Sequence, residues 1–202
     1  MRTMLAMLFA AFLLTLLAGC TPGEQTVKES YSRSSVTTLH EKGITISAQH
    51  LDSKMLYDRF GNRNNPFLEY QESRLIVIDF TLRAEYEVRL RISKVVFDYL
   101  GTMSSPVSRV DFSQYWEQSL RNPGAATTGG RRRYRDWSYS SVLRVINENV
   151  LPDSLDILPG PAYRGFMLFE GAERKYGTAR VTVPLYAVSG RKIHEFVFLI
   201  DI

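Results

Sequence analysis

The sequence predicts a mostly β fold, an antiparallel β-sandwich with one or two short helical insertions. Hydrophobic residues alternate with polar ones in segments near both ends of the chain, and they recur every three or four residues in its middle. A short turn also separates the last two alternating segments. Two packed antiparallel sheets best accommodate strands at both ends with short helices between them.

The first 19 residues have the anatomy of a secretory signal peptide. Arg2 gives a short basic start, and Met4 to Leu17 is an apolar run broken only by Thr15. As a helix this run would span about 21 Å at roughly 1.5 Å per residue, which is short of a bilayer core of about 30 Å. We therefore predict that residues 1–19 are removed rather than kept as a transmembrane anchor.

The segment Leu17-Ala18-Gly19-Cys20 resembles the lipobox of bacterial lipoproteins. In that family a peptidase cuts before the cysteine, after the thiol has been joined to a diacylglyceryl group. A cysteine is required there because its thiolate is a good nucleophile. The resemblance implies that Cys20 carries acyl chains of the palmitate type and anchors the protein to a membrane. The alternative is an ordinary signal peptide followed by an incidental cysteine.

The residue after the cysteine bears on which membrane is used. Enterobacterial lipoproteins that stay in the inner membrane carry Asp at this position, whereas this chain has Thr21. The resemblance therefore favours the outer membrane of the bacterial cell envelope over the inner membrane.

Composition limits the chemistry that the chain can perform. The formal net charge is +4, and removal of residues 1–19 takes away one Arg and no acid, which leaves about +3. Because most of this excess lies in one short run, the charge argues against a nucleic-acid-binding protein. With Cys20 as its single cysteine, the chain has no internal disulfide and no thiolate metal site. No motif indicates a cofactor, and we predict none.

The chain divides into a leader, a linker and one domain. Residues 20–35 are predicted to form a lipid-anchored flexible linker, because they include Pro22, Gly23 and several Ser and Thr residues but hardly any large apolar side chain. Residues 36–202 are predicted to form a single β-sandwich domain that can bury its own core. The end of the linker can also be interpreted as an edge strand, since a more ordered pattern begins at Val36.

Two segments in the first half of the domain predict strands of the sheet core. Gly43 to His50 alternates apolar and polar residues, which indicates one buried face. Arg74 to Arg83 is β-branched and aromatic on both faces, which is typical of a central strand covered on both sides. The face of this strand expected to be buried carries Ile76, Ile78 and Phe80, and the other carries Leu75, Val77 and Asp79.

Two further segments are less regular. Met55 to Phe60 predicts a short strand, followed by turn residues at 61–66. Val88 to Tyr99 alternates, but its phase changes at Ser93-Lys94, which predicts a bulge or a short break.

The middle of the chain predicts two helices. From Asp111 to Arg121, apolar residues recur at helical spacing and Asn122-Pro123-Gly124 ends the pattern. A second helical stripe extends from about Ser138 to Asn149 and is ended by Leu151-Pro152.

The last part of the chain returns to strands. Ala162 to Glu170, Ala179 to Val188 and Lys192 to Ile202 are predicted strands, and Ser189-Gly190 is predicted to be the tight turn of a hairpin.

Several of these segments together resemble a known group of domains. Pro159-Gly160, the segment Arg164 to Glu170 and the closing hairpin are similar to the end of immunoglobulin-like domains in uncharacterised bacterial envelope lipoproteins. Asn65-Pro66-Phe67, ahead of the strand that starts at Arg74, also resembles them. The resemblance covers about two thirds of the mature chain and implies an immunoglobulin-like sandwich in the cell envelope, but no reaction.

The most strongly charged run is a candidate site for an anion or a partner. Guanidinium groups pair with phosphate or carboxylate, and Tyr and Trp suit an interface between apolar and wet surroundings. The alternative is a solvated loop, because Thr127-Thr128-Gly129-Gly130 precedes the run. The candidate residues are Arg131, Arg132, Arg133, Tyr134, Arg135 and Trp137.

Other polar residues are candidates for catalytic or metal-binding groups. Asp79, Asp98 and Asp111 would be needed in pairs for acid and base catalysis, and Asp79 is also expected to be a buried carboxylate with a structural hydrogen bond, to Arg83 or to a backbone amide. The chain has three histidines, and they lack close metal spacing, which predicts no metal site. Tyr115-Trp116 is expected in the core rather than as a platform for sugars.

The function predicted from the sequence is a non-enzymatic, lipid-anchored envelope protein that binds or scaffolds another envelope protein or polymer. Exposed edges and end loops of a β-sandwich suit such binding while the core stays fixed. One alternative is a binder of anionic lipid or lipopolysaccharide through the arginine run. A second alternative is a hydrolase whose acidic residues are brought together by the fold.

Overall fold

The computed structural model describes residues 30–31, 36–68, 74–121, 137–171 and 177–202. Within these ranges the chain forms two β-sheets and three α-helices. This confirms a mostly β fold consistent with a sandwich, but the described residues form three α-helices where one or two were predicted.

The strands, in chain order, are β1 (Ser30–Tyr31), β2 (Thr37–Glu41), β3 (Ile44–Leu51), β4 (Arg74–Ala84), β5 (Val88–Arg91), β6 (Val96–Tyr99), β7 (Thr102–Ser104), β8 (Ser154–Ile157), β9 (Ala162–Gly171), β10 (Thr178–Tyr186) and β11 (Lys192–Asp201). The α-helices are α1 (Ser53–Phe60), α2 (Arg109–Arg121) and α3 (Tyr139–Asn149), and a 3-10 helix (Ile92–Lys94) separates β5 from β6.

The strands are arranged in two sheets, here called sheet I and sheet II. Sheet I is antiparallel and has the order β2-β3-β4-β9. In sheet II, β10 pairs with β11 on one side and with both β5 and β6 on the other. The outer pairs are β5 with β8 and β6 with β7, and the short β1 pairs with β11 in parallel.

Sheet I lies between two apolar layers, and β4 shows how its sequence produces this arrangement. Ile76, Ile78 and Phe80 are at most 2% exposed and pack in the core between the sheets. Val77 is fully buried in a second core formed with the helices. Because side chains alternate along a strand, apolar residues at successive positions serve both layers. The predicted central strand and its buried face are confirmed.

The segment predicted as a strand at Met55 to Phe60 is instead part of helix α1, so that prediction was wrong. Asp52 caps the helix by accepting a hydrogen bond from the amide of Met55 at 2.7 Å. Such a cap satisfies a backbone donor that the first turn leaves without a partner. Leu56 is buried against the helical core.

Most other predicted elements begin and end within about two residues of their expected limits. The break expected in the strand that starts at Val88 is observed as the 3-10 helix Ile92–Lys94. Ser30–Tyr31 lies within the predicted linker 20–35 and pairs with β11 at the edge of sheet II, as the edge-strand alternative for the end of the linker expected. Thr37–Glu41, within the predicted domain, forms the edge strand of sheet I. The other linker residues, the predicted signal peptide and Cys20 lie outside the described residues. No helix in the described part of the chain combines the length and apolarity needed to cross a bilayer.

Candidate functional site

The outer face of sheet I, which is turned away from sheet II, has two halves of different character. Towards one end its side chains are apolar and buried under the helices, as Val77 and Leu168 illustrate. Towards the other end the side chains on the same face are polar, and they are exposed or half-buried except for Asp79. The alternation that gives β3 its buried Ile44 and Ile46 directs the intervening polar residues outward.

The register places these polar residues in three rows across the strands. The first row holds Gln49 and Asp79, the second holds Thr38, Ser47, Thr81 and Arg164, and the third holds His40, Thr45, Arg83 and Ala162. We call these residues, together with Arg59 of α1, the polar face.

Cross-strand hydrogen bonds hold the edge of the polar face. The hydroxyl oxygens of Thr38 and Ser47 lie 2.8 Å apart. In the next row, Nδ1 of His40 lies 2.8 Å from the hydroxyl oxygen of Thr45. Such pairs between directly opposed residues stabilise a sheet and fix the side chains on its surface.

The centre of the polar face is an ion network around Asp79, whose side chain is 4% exposed. Arg164 of β9 donates from Nε and Nη2, with Nη2 lying 2.6 Å from Oδ2. Arg59 of α1 donates from Nη1 to Oδ2 at 3.0 Å. Burial of a carboxylate is costly unless it is paired and hydrogen-bonded, and these two arginines meet that requirement. The hydrogen bond to Asp79 also raises the pKa of Arg164.

The buried carboxylate expected at Asp79 is thus observed, but its expected partner is not. The sequence suggested Arg83 or a backbone amide, whereas the observed donors are Arg59 and Arg164. Arg59 is further held by the ring of Phe166, whose centroid lies 4.8 Å from the guanidinium carbon. The network therefore joins helix α1 to strands β4 and β9.

The charges of the polar face favour binding of an anion. Three arginines and one aspartate give it a net charge of about +2, since Asp79 offsets only one of Arg59, Arg83 and Arg164. Asp79 accepts hydrogen bonds on both carboxylate oxygens, so its geometry is that of an anchor for arginines and not of a free base.

The other two candidate aspartates for acid and base chemistry, Asp98 and Asp111, make local structural hydrogen bonds and are not part of the Asp79 network. Asp98 accepts from the amide of Gly101 at 3.1 Å and stabilises a hairpin turn. Asp111 accepts from the hydroxyl of Ser108 at 2.7 Å at the start of α2. A groove of about 240 Å³ between α2 and α3 contains one acid, Glu117.

The histidines lie in unrelated surroundings. His194 is buried on β11, and its ring packs edge-to-face against that of Phe196. Its Nε2 lies 3.4 Å from the carboxylate of Glu41 on β2. His40 belongs to the polar face. In the described ranges no group of three or more His, Cys, Asp or Glu side chains is arranged to hold a metal ion.

The arginine run predicted as an anion or partner site falls mostly outside the described residues, namely Arg131, Arg132, Arg133, Tyr134 and Arg135. Trp137 is described, and its ring stacks on that of Trp116 with centroids 5.3 Å apart. Trp116 itself is fully buried in α2, which confirms its predicted place in the core. Trp137 therefore packs with the helical layer.

Comparison with known proteins adds little to this picture. No protein-family model matches the chain, and no curated protein does. The chain is similar to the X-ray structure of Northeast Structural Genomics Consortium target SoR45 at 12% sequence identity and a TM-score of 0.29, over 81% of this chain and 86% of that one. A likeness at this TM-score indicates neither a shared fold nor a shared function.

The polar face as a whole was missed by reasoning from the sequence. The sequence indicates one buried face for the strand from Gly43 to His50 and a buried carboxylate at Asp79. Arg164 lies 85 residues from Asp79 in the sequence, so their contact depends on strand order and register. A buried acid within an apolar strand does signal that some cation must approach it, and that signal was present.

Proposed function

We propose that the protein is a non-enzymatic, lipid-anchored component of the bacterial cell envelope that binds another envelope protein or polymer through the polar face of sheet I. The observation that carries this proposal is a half-face with exposed or half-buried hydroxyls and exposed arginines, which lies beside a half-face that the helices cover. A surface fixed by two cores and an ion network is pre-organised, which lowers the entropic cost of binding.

The location rests on the start of the sequence. The lipobox resemblance at Leu17 to Cys20 supports attachment to a membrane, and Thr21 supports the outer membrane. The immunoglobulin-like assignment belongs to this proposal too, and it is supported by the closing hairpin of β10 and β11 and by the place of Arg164 to Glu170 in a core strand.

Photo-crosslinking in intact cells tests the binding surface. A photoreactive amino acid would replace Thr38 or Thr81 on the polar face, and Asp156 on sheet II would be the matched control, because its side chain is also accessible. We expect the same crosslinked envelope component from both polar-face positions and no such adduct from position 156. Equal adducts from all three positions, or none from the polar face, would contradict the proposal.

A further inference from the structure

We propose that the occupant of the polar face is an anionic glycan, a hydroxyl-rich polymer that carries carboxylate or phosphate groups. The inference rests on the proposed function and specifies the ligand of the same surface. Four features of the face carry it: two neighbouring cations, an internal carboxylate that orients one of them, rows of hydroxyls, and the scarcity of apolar side chains.

The two cations are placed to hold one anionic group together. Thr81 is paired with Arg164 and Arg83 with Ala162, so Arg83 and Arg164 are diagonal neighbours on adjacent strands. Diagonal neighbours lie about 7–8 Å apart, within reach of long side chains. The small side chain of Ala162 leaves room beside Arg83. Among the described residues Arg83 has no hydrogen-bond or ion-pair partner.

Asp79 prepares Arg164 for such a ligand. It accepts from Nε and Nη2 of Arg164, and the donors on Nη1 remain for a ligand. The side chain of Arg164 is still 59% exposed although it is fixed by the buried carboxylate. A guanidinium held in one orientation loses less entropy when it binds a carboxylate or phosphate.

The hydroxyls extend the site away from the arginines. Ser47, Thr45 and Thr81 lie on β3 and β4 beside the two cations. The hydroxyls of Ser47 and Thr45 each make one cross-strand hydrogen bond, and a hydroxyl has one donor and two acceptor positions, so each keeps capacity for a ligand. Sugar hydroxyls have the same dual capacity, so a glycan can satisfy these groups along several residues. The four strands of sheet I extend these rows over roughly 14 Å at about 4.8 Å per strand.

The same features argue against a membrane surface as the occupant. A protein that enters a bilayer interface presents large apolar side chains beside its basic ones. On the outer face of sheet I in the described ranges, Val36 at the border is the single large apolar residue that is well exposed. The other well-exposed large apolar side chains lie off these rows: Tyr57, Tyr86, Leu100, Met103, Val110, Leu158 and Val188.

Binding of the full-length protein in detergent to coated beads tests the inference. The beads would carry polygalacturonate, phosphorylated dextran, neutral dextran or phosphatidylglycerol. We expect binding to at least one of the two anionic glycans and none to neutral dextran. The double variant Arg83→Gln/Arg164→Gln should bind at least about tenfold more weakly, because charge-assisted hydrogen bonds are lost.

Two controls show whether weaker binding comes from the two arginines of the polar face, from the lower net charge, or from a damaged fold. Arg89→Gln/Arg91→Gln removes the same charge from β5 of sheet II and should change binding less than about twofold, since screened distant charges contribute little. Arg83→Gln alone leaves the Asp79 network intact and should still weaken binding, with thermal unfolding unchanged.

Three outcomes would overturn the inference: binding to phosphatidylglycerol beads alone, binding to no bead, or equal losses in the two double variants. Crosslinks from Thr38 and Thr81 to an envelope component, found together with no glycan binding, would keep the proposed function and reject this ligand. Absence of both would reject both.

Discussion

Asp79 is a charged residue inside an otherwise apolar strand, and cations from two other elements keep it there. Its carboxylate is buried, whereas the side chains of Arg59 and Arg164 are 36% and 59% exposed. The partners can therefore return to water if the carboxylate is removed, but the carboxylate cannot. This asymmetry decides which substitution in the network is costly.

We predict that Asp79→Asn lowers the free energy of unfolding by about 1–3 kcal/mol, because the buried position loses charge-assisted hydrogen bonds. Arg164→Gln should cost more, about 3 kcal/mol, because it leaves the buried carboxylate of Asp79 with Arg59 as its remaining cationic partner. Denaturant unfolding measures both, with Arg83→Gln as a control expected to change stability by less than about 0.5 kcal/mol. A stabilised Asp79→Asn variant would show that the network lowers stability.

Leu100 is a non-glycine residue in the left-handed region of backbone conformation, as is Lys42 in the turn between β2 and β3. Leu100 and Gly101 connect β6 to β7, with φ values of 52° and 80°. Positive φ at both loop positions is the geometry of a type I′ turn, in which Asn-Gly is favoured. A leucine in this region costs about 1–2 kcal/mol, and the side chain of Leu100, at 70% exposure, recovers little of it by burial.

Leu100→Asn should therefore stabilise the protein by about 0.5–1.5 kcal/mol, because asparagine tolerates the left-handed region. Thermal and denaturant unfolding would measure the change. Met103→Asn, on the same hairpin and 72% exposed, is the control and should be close to neutral. If Leu100→Asn proves destabilising, the exposed leucine makes a contact that contributes to stability.

At the scale of elements, the residues that follow the last turn of helix α3 are hydrogen-bonded to strand β9 of sheet I. The amide of Leu151 donates to the carbonyl of Phe166 at 3.0 Å, and Val150 forms a bridge to the same strand. Gly165 permits this approach, since a Cβ there would lie 2.7 Å from Cδ2 of Leu151 and 3.1 Å from the carbonyl oxygen of Asn149. The segment after α3 thereby covers part of the β9 edge of sheet I, and Val107, whose amide donates to the carbonyl of Leu168 at 2.8 Å, covers the next part. Both contacts protect this edge from strand addition.

We predict that Gly165→Ala lowers the free energy of unfolding by about 1–3 kcal/mol through overpacking. The double variant Gly165→Ala/Leu151→Ala should lose less than the sum of the two single variants, because the shorter side chain removes the tightest contact. A double-variant cycle in denaturant measures this coupling. Strict additivity would show that the backbone of residues 149–151 moves away without cost.

The elements that could be predicted are those that carry a regular apolar pattern along most of their length. β4, α2 and α3 each carry a regular apolar pattern and were correctly placed. The error at α1 arose because Met55, Leu56 and Phe60 are few and the helix is short, so the cap at Asp52 was the better signal. β7 and β8 were not predicted, since such short edge strands depend on their neighbours for stability.

For the candidate site, the sequence showed which residues are polar but not which of them meet. Ser47 and Thr81 acquire their common row from the register of β3 against β4. Arg83 and Arg164 become neighbours only when β9 pairs with β4. Long-range pairing of this kind leaves no local pattern, so the polar face becomes visible only in the folded chain.

At the scale of the whole molecule, β1 limits how far the domain would stand from an anchor. It pairs in parallel with β11, with Ser30 opposite Phe198. If Cys20 is lipidated, the chain from Cys20 to Ser30 can span at most about 34 Å at roughly 3.4 Å per residue, so the anchor would lie within that distance of the edge of sheet II.

We predict that Cys20→Ser abolishes lipidation and leaves the protein soluble or as an uncleaved precursor, because serine offers no thiolate for alkylation. Metabolic labelling with a fatty-acid analogue, followed by membrane fractionation, measures both effects. Thr21→Ser is a suitable control that keeps the cysteine and should be labelled normally. Label retained in Cys20→Ser would place the acyl group elsewhere.

The two sheets also impose an order on biosynthesis. Residues 162–202 supply β9, β10 and β11, so sheet I lacks its last strand and sheet II lacks its central one until the end of the chain has been made. Pairing between strands that are this distant in sequence is slow, and apolar strands such as β4 are prone to aggregate until they are paired. If the predicted signal peptide directs export, this delay would favour it, because a chain that has not yet closed its sheets can still pass through a narrow export channel.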